Sequence, residues 1–137
     1  MNAAAAARSD SIDFAVSLVG GASSVSISDT FDALTDTGLS IDAALEMTPN
    51  QARAVGYDPA CDLAQAAVPM LWVLGERDDS NPSRLDIEVI ETLASAGRPY
   101  QYILVEQADH NFLNVETGQV MLDWVPDMAR FTASAGR

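Results

Sequence analysis

A run of five apolar residues, MLWVL at positions 70–74, constrains the fold of this chain more than any other feature. Pro69 precedes the run and Gly75 ends it, a pattern typical of a buried β-strand. Two more segments have the same character: FAVSLV at 14–19, closed by two glycines, and YQYILV at 100–105. Helical patterns separate the three segments. This alternation predicts an α/β fold in three layers, with about three parallel strands and flanking helices.

The helices are predicted from capping residues and from apolar spacing. The clearest begins at Ser83, because Ser83 and Asp86 have the spacing of a capping box. Two short helices are expected after Ser40 and after Thr48, and the serine-rich segment 23–28 is expected to be a loop. A last helix is predicted where apolar residues keep helical spacing, namely at Met121, Trp124, Met128 and Phe131.

Length and charge exclude several classes of protein. The 137 residues suit one domain, which we take as 1–137. Seven basic residues, all arginine, stand against 20 acidic ones, for a net charge of −13. Such a surface repels phosphate backbones and anionic lipids, so we expect no nucleic-acid or membrane partner.

The scarce ligand-forming residues narrow the chemistry further. One cysteine, Cys61, permits no internal disulfide, and one histidine, His110, permits no multi-histidine metal site. We therefore expect neither a metal nor a cofactor. No apolar run approaches the roughly 20 residues of a membrane span, and the alanine-rich start lacks the basic region of a signal peptide. A cytoplasmic protein is the resulting expectation.

Two polar loops follow directly after predicted strands. GERDDSNP, at 75–82, follows the central apolar run, and QADHNF, at 107–112, follows the last strand. Open α/β sheets bind their ligands at this carboxyl edge. A carboxylate on one loop can meet a histidine on the next, as in a Ser-His-acid triad. Asp78 and His110 are the candidates; the alternative is that each has only a structural role, Asp78 by ending a strand or capping a turn.

These loops resemble the acid loop and the histidine loop of α/β-hydrolases, most of all the serine-aminopeptidase and dienelactone-hydrolase-like branch. The segment 57–71 is similar to the approach to the acid-bearing strand, and 14–21 to the strand after the nucleophile's helix. The resemblance implies that the chain is the C-terminal portion of that fold. It also implies that Asp78 is the catalytic acid and His110 the general base.

The nucleophile of that family is missing from the sequence. Its serine stands on a Gly-x-Ser-x-Gly elbow and precedes the acid and the histidine in chain order. This motif does not occur within the 137 residues, and the resemblance would place it upstream of residue 1. The segment GASSV at 21–25 follows a predicted strand and matches the motif except at its last position, so it offers Ser23 as a candidate nucleophile. Val25 stands where the last glycine should be and is expected to clash with the strand.

Two functions stay open on the sequence alone. One is a truncated hydrolase-like protein that keeps the acid and the histidine, is not catalytically competent alone, and self-associates. The other is an esterase, peptidase or thioesterase whose nucleophile comes from a partner chain or from Ser23. The substrate cannot be inferred, because the pockets of this fold are built largely from upstream loops and the cap.

The predicted strand at 14–19 lacks the neighbour that the family would give it. Because strand edges are seldom left bare, we expect a two-fold homodimer. Its interface is expected at the 14–19 edge, through Phe14, Val16 and Leu18, or at the adjoining helices, from the alanine run or from 30–55. The alternative is that residues 1–12 or 22–56 cover the edge within a monomer.

Overall fold

The computed structural model describes residues 11–136. Within them, helices and strands alternate much as the apolar pattern predicts. In chain order the elements are β1 (Ala15–Leu18), α1 (Val25–Asp36), α2 (Ile41–Gln51), α3 (Ala60–Gln65), β2 (Met70–Gly75), α4 (Ser83–Ser95), β3 (Tyr100–Val105) and α5 (Val125–Ala135). The alanine run at 3–7, for which the sequence allows either a short helix or a frayed tail, lies outside the described residues. Among the described helices, none has the length and apolar character needed to cross a bilayer.

The three strands form one parallel sheet in the order β1-β2-β3. Trp72 at the centre of β2 has Ser17 of β1 on one side and Tyr102 of β3 on the other. Every residue of β2 is buried, because this strand has neighbours at both edges and helices over both faces. The predicted α/β fold, with about three parallel strands in three layers, is confirmed.

Alternate side chains of β2 enter two separate cores. Met70, Trp72 and Leu74 pack beneath α3 and α4, whereas Leu71 and Val73 pack against α5. This alternation follows from the two-residue period of a strand. Full burial of one large apolar side chain contributes about 1.5–3 kcal/mol, so β2 anchors both layers of helices.

Helix α1 begins earlier than the sequence pattern indicates. Ser24 is its N-cap, and the Ser24 hydroxyl accepts the N–H of Ile27. The segment 23–28, expected as a loop, therefore supplies the first helical turn, because a serine that precedes an apolar residue can cap a helix as well as enter a turn.

Helix α2 is one helix where two short ones were expected. Thr48 is fully buried, and its hydroxyl donates to the Ala44 carbonyl one turn earlier instead of capping a new helix. Pro49 lies inside the last turn of α2. The reading of Thr48 and Pro49 as a helix start was wrong, because burial of Thr48 between the packed helices favours continuation of the helix.

The pair of helices α1 and α2 is joined to the carboxyl edge of the sheet. The Thr35 hydroxyl donates to the Asp79 carbonyl at 2.5 Å, in the loop that follows β2. Arg84, near the start of α4, forms an ion pair with Asp42 at 3.1 Å. These contacts place α1 and α2 beside the loop that carries Asp78.

Candidate active site

Asp78 lies in the loop after β2, and only 1% of its surface is exposed. Its Oδ1 atom accepts the backbone N–H groups of Ser80 and Asn81, at 2.9 and 2.8 Å. Turns of this kind fold a loop back onto its own carboxylate. The sequence DDSN thereby fixes the direction of the Asp78 side chain.

His110 lies in the loop after β3, and its imidazole contacts Asp78. Nδ1 is 2.9 Å from Oδ2 and 3.1 Å from Oδ1 of that carboxylate. An ionised carboxylate can only accept hydrogen bonds, so Nδ1 carries the proton and a neutral imidazole has its lone pair on Nε2. The histidine side chain is 41% exposed, and within residues 11–136 its Nε2 atom has no hydrogen-bond partner. This geometry leaves Nε2 of the half-exposed imidazole able to accept a proton.

Burial raises the pKa of the Asp78 carboxyl above its usual value of 3.8. The hydrogen bonds from Asn81 and Ser80, and the charge of a protonated His110, act in the opposite direction but are outweighed by burial. An ionised carboxylate in this position stabilises an imidazolium that forms beside it.

The two loops approach each other closely at Gly75. A Cβ atom on this glycine would lie 2.5 Å from the Asp109 carbonyl oxygen and 2.6 Å from that of Ala108. The N–H of Arg77 also donates to the Ala108 carbonyl at 2.8 Å. Gly75, which the sequence marks only as a strand end, is therefore needed to bring the histidine loop against the acid loop.

The histidine loop is folded by the aspartate beside His110. Oδ1 of Asp109 accepts the N–H groups of Asn111 and Leu113, each at 2.8 Å. Phe112 adopts a φ of 56°, in the left-handed region, and its ring packs on Trp124 with the ring centroids 5.0 Å apart. Asp109 thus organises the loop, and Asp78 is the carboxylate that contacts the imidazole.

A second buried carboxylate, Asp86, lies in the first turn of α4 and is fully buried. Its Oδ1 atom accepts the N–H groups of Ala22 and Ser23, at 2.9 and 2.7 Å. Its Oδ2 atom accepts Nδ2 of Asn81 at 2.6 Å. Asp86 therefore connects the loop after β1 with the loop after β2.

The spacing of Ser83 and Asp86 predicts a different role for Asp86, as the acidic member of a capping box. That interpretation was wrong, because Pro82 is the N-cap of α4 and no side chain caps the helix. One signal could have found the correct role. Asp86 is four residues before Ile90 and so lies on the buried face of α4, where a carboxylate needs polar partners from elsewhere in the chain.

Ser23 is not brought together with the other two candidates. It follows β1, whereas Asp78 and His110 follow β2 and β3, and among the described residues no hydrogen bond joins Ser23 to either. Its hydroxyl is buried without a hydrogen-bond partner. The serine lines an apolar groove between α1 and α4, with Ile27 and Val89.

The described residues offer no group of three or more histidine, cysteine or acidic side chains placed to hold a metal ion. The carboxylates of Asp78 and Asp86 are each occupied by protein hydrogen-bond donors. The arrangement of these side chains is thus suited to proton transfer at His110.

Comparison with known proteins gives information about the fold. No family model matches the chain, and no curated protein matches it. Among solved structures, the chain is similar to the acylaminoacyl peptidase of Pyrococcus horikoshii, with a TM-score of 0.53 and 17% identity over 82% of this chain. It spans only 18% of the length of that peptidase. The described elements therefore have the architecture of part of an α/β-hydrolase fold. Membership of a particular hydrolase family, including the branch that the sequence resembles, stays a prediction.

Proposed function

We propose that this chain carries the acid and the base of a serine-hydrolase type of site, and that it is not a competent hydrolase alone. One observation carries the proposal: Nδ1 of His110 lies 2.9 Å from the buried Asp78 carboxylate, while Nε2 has no partner within residues 11–136. The absence of a Gly-x-Ser-x-Gly motif from the sequence supports the second half of the proposal.

In the proposed chemistry, Nε2 of His110 takes the proton of a hydroxyl as its oxygen attacks an acyl carbon. Asp78 stabilises the resulting imidazolium and keeps the ring in one orientation. The imidazolium then gives the proton to the leaving alcohol or amine, which leaves an acylated hydroxyl and a neutral imidazole. Water, activated by the same imidazole, then releases the acid and restores the hydroxyl. The hydroxyl is not that of Ser23, because the Ser23 side chain lines the groove beside α4 and makes no hydrogen bond to His110.

A fluorophosphonate probe tests the competence of the purified chain. We expect no labelled serine, because no hydroxyl among the described residues is hydrogen-bonded to His110. The variants Ser23→Ala and His110→Gln are the controls. Labelling of any serine that is lost in His110→Gln would contradict the proposal, and loss in Ser23→Ala as well would identify the nucleophile.

The acid–base pair has its own test by ¹⁵N NMR. His110 is the single histidine of the chain, so its two ring nitrogens are assigned without ambiguity. In alkaline buffer we expect the neutral imidazole to carry its proton on Nδ1, because Asp78 accepts a hydrogen bond there. In Asp78→Ala the proton should move to Nε2, the position preferred by free imidazole side chains. A wild-type imidazole protonated mainly on Nε2 would refute the pair.

We also propose that a second copy of the chain covers the free edge of β1. The N–H groups of Ala15 and Val19 donate to β2 and to its approach, each at 2.9 Å. Alternate residues of a parallel strand face opposite neighbours, so the backbone groups of Val16 and Leu18 face away from β2. Within the described residues β1 pairs with β2 alone, and Leu18 is 47% exposed. Unpaired backbone groups beside an exposed leucine favour pairing with another strand.

Two-fold symmetry makes the pairing of β1 with its copy antiparallel. We expect sedimentation equilibrium to give a dimer for the wild type and a monomer for Leu18→Asp. Leu122→Asp is the matched control, since Leu122 is 61% exposed and lies between Met121 and Asp123, which line a groove along β3. A wild type that stays at 14.5 kDa at high micromolar concentration would refute the dimer, and a dimer that survives Leu18→Asp would refute the β1 edge.

A further inference from the structure

One line of hydrogen bonds crosses the carboxyl edge of the sheet and joins the loops after all three strands. It runs from the N–H groups after β1 to Asp86, then through Asn81 to Asp78, and ends on His110. We propose that Asp86 and Asn81 are positioning residues, which set the direction of the Asp78 carboxylate and through it the tautomer of His110. This inference rests on the proposed function of the acid–base pair.

The carboxylates and the asparagine of this line are buried, so each of them must keep its hydrogen-bond partners. Asp86 is fully buried, Asp78 is 1% exposed and Asn81 is 6% exposed. Buried polar groups require their hydrogen-bond partners, and neighbouring bonds in a site of low dielectric strengthen one another. A changed partner at one end therefore affects the next member of the line.

Asn81 is the link between the two carboxylates because it donates from two places. Its side-chain Nδ2 atom donates to Asp86, at 2.6 Å, and its backbone N–H donates to Asp78, at 2.8 Å. The orientation of the amide is determined by chemistry, since a carboxylate accepts and only the NH₂ group of asparagine donates. Asp86 thereby holds the side chain of Asn81, and the held side chain fixes the backbone N–H that Asp78 accepts.

The loop after β1 approaches the same line. A Cβ atom on Gly21 would lie 3.2 Å from Oδ1 of Asp86 and 3.3 Å from Oδ1 of Asn81. Both distances are shorter than an ordinary contact, so a side chain at this position would push on both residues. Gly21 thus leaves room for Asp86 to reach the backbone after β1.

Two NMR signals test the positioning role in the intact chain. The first is the ratio of Nδ1–H to Nε2–H tautomers of His110, and the second is the amide proton shift of Asn81, which reports its hydrogen bond to Asp78. In Asp86→Asn the new amide still accepts from the loop after β1, but its NH₂ group meets the NH₂ group of Asn81, so the bond between the side chains returns only if the Asn81 amide turns over. We expect the tautomer ratio to fall by about five- to tenfold, as for the loss of one hydrogen bond of ordinary strength. The Asn81 amide proton should move upfield.

A rescue variant separates positioning from stability. In the double variant Asn81→Asp with Asp86→Asn, donor and acceptor exchange places, so the bond between the two side chains can form again. We expect both signals to return most of the way to their wild-type values. Ile90→Ala is the matched control, because it leaves a cavity one turn along α4 and removes no hydrogen bond of the line. It should lower stability and leave both signals unchanged.

Each outcome decides the inference. Unchanged signals in both folded Asp86→Asn and folded Asn81→Ala, or changed signals in Ile90→Ala, would overturn it. If Asp86→Asn does not fold, Asn81→Ala and Gly21→Ala carry the same test, since each disturbs the line at another member. A wild type without the Nδ1–H preference would refute the proposed acid–base pair, whereas the Asn81 amide shift would still report whether Asp86 positions Asp78.

Discussion

Asp78 and Asp86 are two buried carboxylates eight residues apart, and they differ in what they face. Asp86 accepts hydrogen bonds from two backbone N–H groups and one amide, none of which titrates. Asp78 accepts from two backbone N–H groups and also contacts an imidazole that is 41% exposed. The comparison shows that burial alone does not distinguish a structural carboxylate from one that can take part in acid–base chemistry. The distinguishing feature is a partner that can exchange a proton and can be reached from solvent.

The largest expected effect comes from removing the Asp86 carboxylate. Asp86→Ala leaves two buried donors and one half-buried donor without an acceptor, and we expect the free energy of unfolding to fall by about 3–5 kcal/mol. Asp78→Ala should cost less, about 1–3 kcal/mol, because water can reach the exposed imidazole that it leaves behind. Urea denaturation of both variants measures the difference. A larger loss of stability in Asp78→Ala than in Asp86→Ala would contradict the assignment of Asp86 as the structural carboxylate.

The next effect concerns the approach of the two loops. In Gly75→Ala the new methyl group would press on the carbonyl oxygens of Asp109 and Ala108, which are backbone atoms and cannot turn aside. We expect a loss of about 1–3 kcal/mol in the free energy of unfolding and a weakened Nδ1–H signal of His110.

Gly20→Ala is the control for this effect. The new methyl group there would meet the Ser17 hydroxyl, which can rotate away, so both stability and the histidine signal should change little. Equal losses in the two glycine variants would show that the contact at Gly75 is not what joins the loops.

A smaller effect is expected from the pH dependence of stability. Because burial raises the pKa of Asp78, the folded chain binds this proton more tightly than the unfolded chain does. The contribution of Asp78 to stability is therefore greatest below its usual value of 3.8, and it is lost as the pH rises through the raised value. Any stability advantage of Asp78→Asn should be greatest at pH 7 and should shrink as the pH falls toward 3.8.

Denaturation of the wild type and of Asp78→Asn across this pH range measures the difference. The same comparison is then made without the imidazole, between His110→Gln and the double variant that carries both Asp78→Asn and His110→Gln. An advantage of Asp78→Asn that grows toward acid pH would contradict the raised pKa of Asp78.

The strands and the two polar loops were accessible from the sequence because their signals are local. The run at 70–74 is bounded by Pro69 and Gly75, and Asp78 follows it within four residues. The parallel order then brings Asp78 to His110 without any knowledge of side-chain contacts, since consecutive parallel strands end at the same edge.

The role of Asp86 was not accessible in this way, because its partners Ala22 and Ser23 are 64 and 63 positions distant. Its local spacing from Ser83 matches a common helix start, and that local interpretation prevailed. Thr48 shows the same limit: its sequence allows both a helix start and a helix interior, and only tertiary burial decides between them.

The separation of these contacts along the chain also has a consequence for the order of folding. The Asp78–His110 contact closes a segment of 32 positions, and the Asp86–Ala22 bond closes one of 64. Doubling a flexible loop adds about 0.6 kcal/mol to the entropic cost of closing it. The unit β2–α4–β3 can thus assemble its acid and histidine while β1 is still undocked. Docking of β1 then completes the sheet and gives Asp86 its last partners.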